Sequence, residues 1–149
     1  AALKYYPPLG SFMMLANNIF INRSNRQGAV QTFKAAVDQI HQKKVSVYIF
    51  PEGTRGRLGD GQLLPFKKGA FHMAIQAGIP IVPVVFSNYS SFYNPKHHYF
   101  TGGTVQIQVL PPITTEGLTT EDVDQLSTST RDQMTHALVK LLEEQKKNI

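Results

Sequence analysis

A run rich in β-branched and aromatic residues, Val45-Ser46-Val47-Tyr48-Ile49-Phe50, follows an amphipathic helical pattern and stops at Pro51-Glu52-Gly53. That order constrains the chain more than any other feature. Val30, Phe33, Val37 and Ile40 recur at spacings of three, four and three, which predicts a helix over residues 29–42 with these side chains on one face. The run that follows predicts a strand. Pro51 removes a backbone donor and Gly53 permits a tight turn, so the strand ends there. Glu52 and Arg55 then stand just past the strand end, where α/β folds favour ligand sites. Arg55 carries a planar, permanently charged fork suited to phosphate or carboxylate.

The rest of the chain continues the alternation. Residues 11–16 suit a short helix after Pro7, Pro8 and Gly10, and Ile19 to Asn22 reads as a buried strand. A turn over 23–28 precedes the helix already described. Residues 51–66 form a long loop carrying Gly53, Gly56, Gly59 and Gly61, and loops of that length inside compact domains are often functional. Lys67 to Gln76 predicts a helix ended by Gly78, and Ile81 to Phe86 a strand interrupted or edged by Pro83. Residues 87–101 read as a loop rich in Ser, Asn, His and Tyr. Val105, Ile107 and Val109 alternate with Gln106 and Gln108, so 104–110 is a half-exposed strand. A last helix begins near Thr119 and runs to about Glu144, burying Val123, Leu126, Met134, Leu138 and Leu141. The fold class implied is α/β, a sandwich with a mixed, largely parallel sheet.

Charge is distributed unevenly along the 149 residues. Residues 23–68 hold nine basic side chains against three acidic ones, whereas 69–149 hold five against seven. A basic stretch around the Pro51–Arg55 turn suits a phosphorylated ligand or an anionic membrane surface. It contains no recognisable nucleic-acid-binding motif, so no nucleic-acid partner is expected. Cysteine is absent, which excludes a disulfide framework and a thiol nucleophile. His97 and His98 have no third ligand at a diagnostic spacing, so no metal is expected. No stretch reaches ~18 consecutive apolar residues, and no signal peptide is expected at Ala1.

Four segments, in order, resemble the conserved blocks of the glycerolipid acyltransferases, specifically the 1-acyl-sn-glycerol-3-phosphate acyltransferase family. Asn17-Asn18-Ile19-Phe20-Ile21-Asn22-Arg23 is similar to the block written G-x-x-F-I-D-R. Phe50-Pro51-Glu52-Gly53-Thr54-Arg55 is similar to the third block, and Leu64-Pro65-Phe66-Lys67-Lys68-Gly69-Ala70-Phe71 to the basic segment after it. Ile79-Pro80-Ile81-Val82-Pro83-Val84 is similar to the fourth block, and Leu110-Pro111-Pro112-Ile113 also fits. Asn17 and Asn22 depart from the glycine and aspartate of the second block; Asn22 keeps hydrogen bonding and loses the charge.

The resemblance implies the acyltransferase α/β fold, incomplete at its amino end. It also implies acyl transfer from acyl-CoA to the sn-2 hydroxyl of lysophosphatidic acid, giving phosphatidic acid, with acyl-CoA as co-substrate and no other cofactor. Arg23 and Arg55 are then ligands of the acceptor phosphate, and Glu52 orients an arginine or the acceptor glycerol. Gly53 and Thr54 supply a backbone donor and a hydroxyl. One of Lys67 and Lys68 faces phosphate and the other water. The family's catalytic pair, H-x-x-x-x-D, is not present: the residues five positions after the histidines at 41, 72, 97, 98 and 136 are Ser46, Ala77, Gly102, Gly103 and Leu141. Residues 1–149 are therefore expected to be a partial acyltransferase domain without catalytic residues of its own, inactive in isolation, with that block and any membrane-embedding segments upstream. Similarity to eukaryotic members implies an endoplasmic reticulum or lipid-droplet membrane. The alternatives are a non-catalytic homologue binding lipid phosphate or a membrane surface, and an acyltransferase for another lysophospholipid.

Overall fold

The computed structural model describes residues 6–16, 18, 26–54 and 62–147. The expected strand Ile19–Asn22, Asn17, Arg23 and Arg55 lie outside the described residues. The chain divides into two compact units, Ala1–Tyr48 and Ile49–Ile149.

In the first unit, helix α1 spans Leu9–Leu15 and helix α2 spans Arg26–Lys43. The Asn18 backbone N–H and side-chain amide both donate to the Met13 carbonyl, at 2.9 and 3.1 Å, which satisfies a carbonyl near the end of α1. α1 keeps Phe12 and Leu15 exposed, at 67% and 84%. α2 is longer than the expected helix and buries Ala36 and Ile40, four residues apart on one face. Lys44, with φ of 50°, takes the left-handed conformation that stops it.

Residues 45–50 are assigned neither helix nor strand, contrary to the expected strand. A β-rich run becomes a strand only by pairing, and the run's own residues do not encode its partner.

The second unit is built on its last helix, α4, Val123–Lys147. Helix α3, Gly69–Ala77, packs on α4, and so does strand β1, Val84–Phe86. The expected apolar stripe is buried throughout: Val123, Leu126, Met134, Leu138 and Leu141 are all below 10% exposure. Val85 joins Met134, Ala137, Leu138 and Leu141 in one core cluster. Phe71 joins Val123 and Leu126 in a second. Phe66 packs against both clusters, its ring 6.2 Å from that of Phe71. α3 ends at Gly78, whose φ of 59° and N–H bond to the Ile75 carbonyl form the anticipated left-handed cap. A Thr119–Asp122 turn leads into α4, with the Asp122 carboxylate accepting from the Thr119 N–H at 2.7 Å.

β1 pairs antiparallel with β4, Ile107–Val109, in the register Val84 to Val109 and Phe86 to Ile107. The pairing resumes at Ile81 and Ile113, which exchange hydrogen bonds of 2.9 and 2.8 Å. Between them Pro83 has no N–H to give and only accepts, from Leu110, so β1 is shorter than the expected 81–86 strand. The alternation expected over 104–110 is present, with the glutamines on the more buried face. Ile107 and Val109 are 58% and 63% exposed, while Gln106 and Gln108 are half-buried. Val85, opposite Gln108, is the residue that enters the core, so α4 lies on the glutamine side of this pair.

The expected 87–101 loop contains a hairpin, β2 (Tyr93–Asn94) with β3 (Tyr99–Phe100). Tyr93 and Phe100 face each other across it with perpendicular rings 5.9 Å apart. Both described ladders are antiparallel; the parallel pairing of the expected sheet is not among the described pairs. No helix among the described residues is long and apolar enough to cross a membrane.

Candidate functional site

The Pro51–Thr54 turn and the Leu64–Lys68 segment lie side by side, although Glu52 and Leu64 are 12 positions apart. Two interactions close them, and a third lies within the turn. The Pro51 carbonyl accepts the Lys67 N–H at 2.7 Å. The Glu52 Oε2 accepts the Leu64 N–H at 2.9 Å. The Phe50 carbonyl accepts the Gly53 N–H at 3.1 Å, tightening the turn itself. Of the two bonds that join the segments, one is backbone to backbone and the other depends on the Glu52 side chain.

Glycine is favoured at position 53 on two counts. Its φ is +68°, and a Cβ built there would lie 3.3 Å from the Lys67 Cγ. The Lys67 stem therefore packs over the glycine. Thr54 follows on the exposed rim of the turn. The site's described residues thus bring together Glu52, Gly53, Thr54 and Lys67, four of the positions expected from sequence. Arg23 and Arg55, the expected phosphate ligands, fall outside the described residues.

Lys67 and Lys68 differ in what their side chains touch. Lys68 is the residue before α3, and its Nζ lies 2.6 Å from Asp124 Oδ1 in the first turn of α4. Lys67 points its stem back over the turn. Among the described residues the Lys68–Asp124 contact is the ion pair at this end of the molecule. Two residues beyond Lys67, α3 begins with no side-chain cap on its first N–H groups, an arrangement that favours an anion. A positive side chain, a glycine turn and an uncapped helix start can together receive a phosphate.

One contributor was not legible in the sequence. Arg131, on α4, donates from Nη2 to the Leu63 carbonyl at 2.6 Å and from Nε to the Leu64 carbonyl at 3.2 Å. Its fork spans two successive carbonyls of the segment that carries Glu52's donor. The only sequence signal was a charged residue flanking the buried stripe of α4.

The remaining candidates contribute nothing here. His72 sits half-buried on α3. No group of three or more His, Cys, Asp or Glu side chains among the described residues is placed to hold a metal.

Comparison with known proteins places the same segments in context. The family model described as "Acyltransferase" matches residues 1–87, which include the turn and the Leu64–Lys68 segment. The 1-acyl-sn-glycerol-3-phosphate acyltransferase of Saccharomyces cerevisiae is 44% identical over 137 residues, covering 92% of this chain and 45% of that protein. The human 1-acyl-sn-glycerol-3-phosphate acyltransferase beta is 48% identical over 124 residues, covering 83% of this chain and 44% of that protein. The crystal structure of PlsC, the 1-acyl-sn-glycerophosphate (LPA) acyltransferase of Thermotoga maritima, superposes with a TM-score of 0.70 at 25% identity, covering 94% of this chain and 54% of that one. The chain spans about half the length of the curated relatives it matches.

Proposed function

The chain belongs to the acyltransferase family, and we propose that it forms the acceptor-binding part of an enzyme that acylates lysophosphatidate. The reaction moves an acyl group from acyl-CoA to the sn-2 hydroxyl. The hydroxyl oxygen attacks the thioester carbonyl, the C–S bond breaks, and the proton leaves with the CoA thiol. Phosphatidate and CoA are the products, and acyl-CoA is co-substrate with no further cofactor. The names of the relatives support the acceptor and the reaction.

The observation that carries the reading is the closure of the Glu52-Gly53-Thr54 turn against Lys67 beside the start of α3. In this reading Lys67 and the Thr54 hydroxyl receive the acceptor phosphate, with Arg23 and Arg55 as its further cationic ligands, while the Gly53 N–H stays with the Phe50 carbonyl and holds the turn in shape. Glu52 repels phosphate, so its part is to hold the loop in shape from the side. Lys68 stays with Asp124 and outside the phosphate site. The general base of the family's motif, a histidine five positions before an aspartate, does not occur in these residues. The base is expected from another part of the complete polypeptide.

A membrane surface as partner, at the endoplasmic reticulum or a lipid droplet, suits an acceptor and product that are both lipids. The exposed Phe12 and Leu15 of α1 support it, since apolar side chains of this kind can enter an interface.

The second reading, a non-catalytic homologue that binds lipid phosphate, draws on the missing H-x-x-x-x-D spacing. One assay separates the two. The complete polypeptide in membranes is given lysophosphatidate and acyl-CoA, and phosphatidate and free thiol are measured. Equimolar formation of both supports the enzyme; phosphate-dependent binding without product supports the binder.

A further inference from the structure

We propose that Arg131 is a positioning residue for the Glu52 carboxylate, acting through the single peptide group that joins Leu63 to Leu64. The inference rests on the acceptor-binding reading of the Glu52-Gly53-Thr54 turn.

The geometry is a chain of three groups. The Arg131 guanidinium donates to the Leu63 carbonyl at 2.6 Å. The amide bonded to that carbonyl is the Leu64 N–H, which donates to Glu52 Oε2 at 2.9 Å. Carbonyl and N–H of one trans peptide are coplanar and point in opposite directions. A cation fixed on one side therefore fixes where the N–H points on the other. The charges also cooperate. A cation on the carbonyl oxygen draws electron density from the amide, which makes its N–H a better donor to the carboxylate. The second bond, from Nε to the Leu64 carbonyl at 3.2 Å, fixes the next peptide plane and stops the segment from rotating about Leu64. Arg131 and Glu52, 79 positions apart in sequence, thus hold opposite ends of one peptide group.

The arrangement gives α4 a function beyond covering the core. Arg131 lies between the buried Thr130 and Met134 positions of the stripe, so the helix that packs both hydrophobic clusters also sets the wall of the acceptor loop. Lys67, three residues after Leu64, belongs to the same segment. If Arg131 lets go, the Glu52 carboxylate loses its donor and the Lys67 side of the loop loosens with it.

The test uses the complete polypeptide in membranes, with variants Arg131→Gln, Arg131→Lys, Glu52→Ala and the double Arg131→Gln/Glu52→Ala. Arg131→Gln is expected to raise KM for lysophosphatidate about tenfold while kcat stays within about twofold. Backbone hydrogen exchange over residues 62–66 should quicken in the same variant. Arg131→Lys keeps the charge and loses the fork, so it is expected to raise KM about threefold. The double variant should be no worse than Glu52→Ala alone, because both act through one peptide. Unchanged exchange over 62–66 in Arg131→Gln would overturn the proposal, as would effects on KM that simply multiply in the double variant. If Arg131→Gln proves unable to fold, wild-type kinetics and exchange in Arg131→Lys would overturn it. If Glu52→Ala leaves KM unchanged while Arg131→Gln quickens exchange, the peptide link stands and the acceptor reading of Glu52 falls.

Discussion

Lys68 and Asp124 meet where α3 packs on α4, with Nζ 2.6 Å from Oδ1, and this contact engages one of two adjacent lysines. Both partners are largely exposed, at 58% and 70% for their side chains, so the pair contributes about 0–1 kcal/mol and weakens with salt. Lys68→Gln is therefore expected to leave the acceptor KM within about twofold of wild type and to change the unfolding free energy by less than about 1 kcal/mol. Urea titration at low and high salt checks the second figure: the small difference should vanish at high salt.

Gly53 sits at positive φ under the Lys67 stem. Gly53→Ala forces a Cβ into left-handed backbone and against the Lys67 Cγ. The expected loss is about 1–2 kcal/mol of stability, with a rise in the acceptor KM as Lys67 is displaced. Thermal unfolding together with acceptor kinetics measures both. A loss of stability with unchanged KM would separate the turn's shape from acceptor binding.

The core makes a plainer prediction. Leu138, on α4, is buried among Val85 of β1 and Met134, Ala137 and Leu141 of its own helix. Leu138→Ala should cost about 2–5 kcal/mol, the lost transfer energy plus that of the cavity left behind. Chemical denaturation of the complete polypeptide gives the value directly, and a change below about 1 kcal/mol would contradict the packing described.

Asp122 provides a pH-dependent test. The Thr119 N–H, and after it the Thr119 hydroxyl, hold its carboxyl below the ordinary aspartate value. A depressed folded value means the stabilisation is present above about pH 3.9 and is lost as pH falls through that value toward the folded one. Asp122→Asn should thus be less stable than wild type at neutral pH, and the gap should close in acid. A gap that does not change between pH 7 and pH 3 would contradict the capping role.

The helices and the core were legible because they depend on patterns within one segment. The α4 stripe repeats along a 25-residue helix, and every residue expected inside is inside. Gly78 marked the end of α3 by its own conformational freedom. Facing was not legible in the same way. Alternation groups Val105, Ile107 and Val109 on one face, but it does not say whether α4 lies on that face or on the glutamine face. The β2–β3 hairpin was missed because its strands are two residues each and its stabilising contact, Tyr93 with Phe100, crosses a turn. In the candidate site, the sequence marked Glu52, Gly53, Thr54 and the two lysines. Choosing between Lys67 and Lys68 required knowing where Asp124 lies, and finding Arg131 required a contact spanning 67 residues.

The central claim is that this turn and Lys67 receive the acceptor phosphate. The most direct measurement compares acyl transfer to lysophosphatidate and to monoacylglycerol, which lacks the phosphate, by the complete polypeptide and by its Lys67→Ala variant. The account predicts that kcat/KM for lysophosphatidate falls about tenfold in the variant, mainly through KM, while monoacylglycerol transfer is unchanged. An equal fall for both acceptors, or no fall for either, would contradict it.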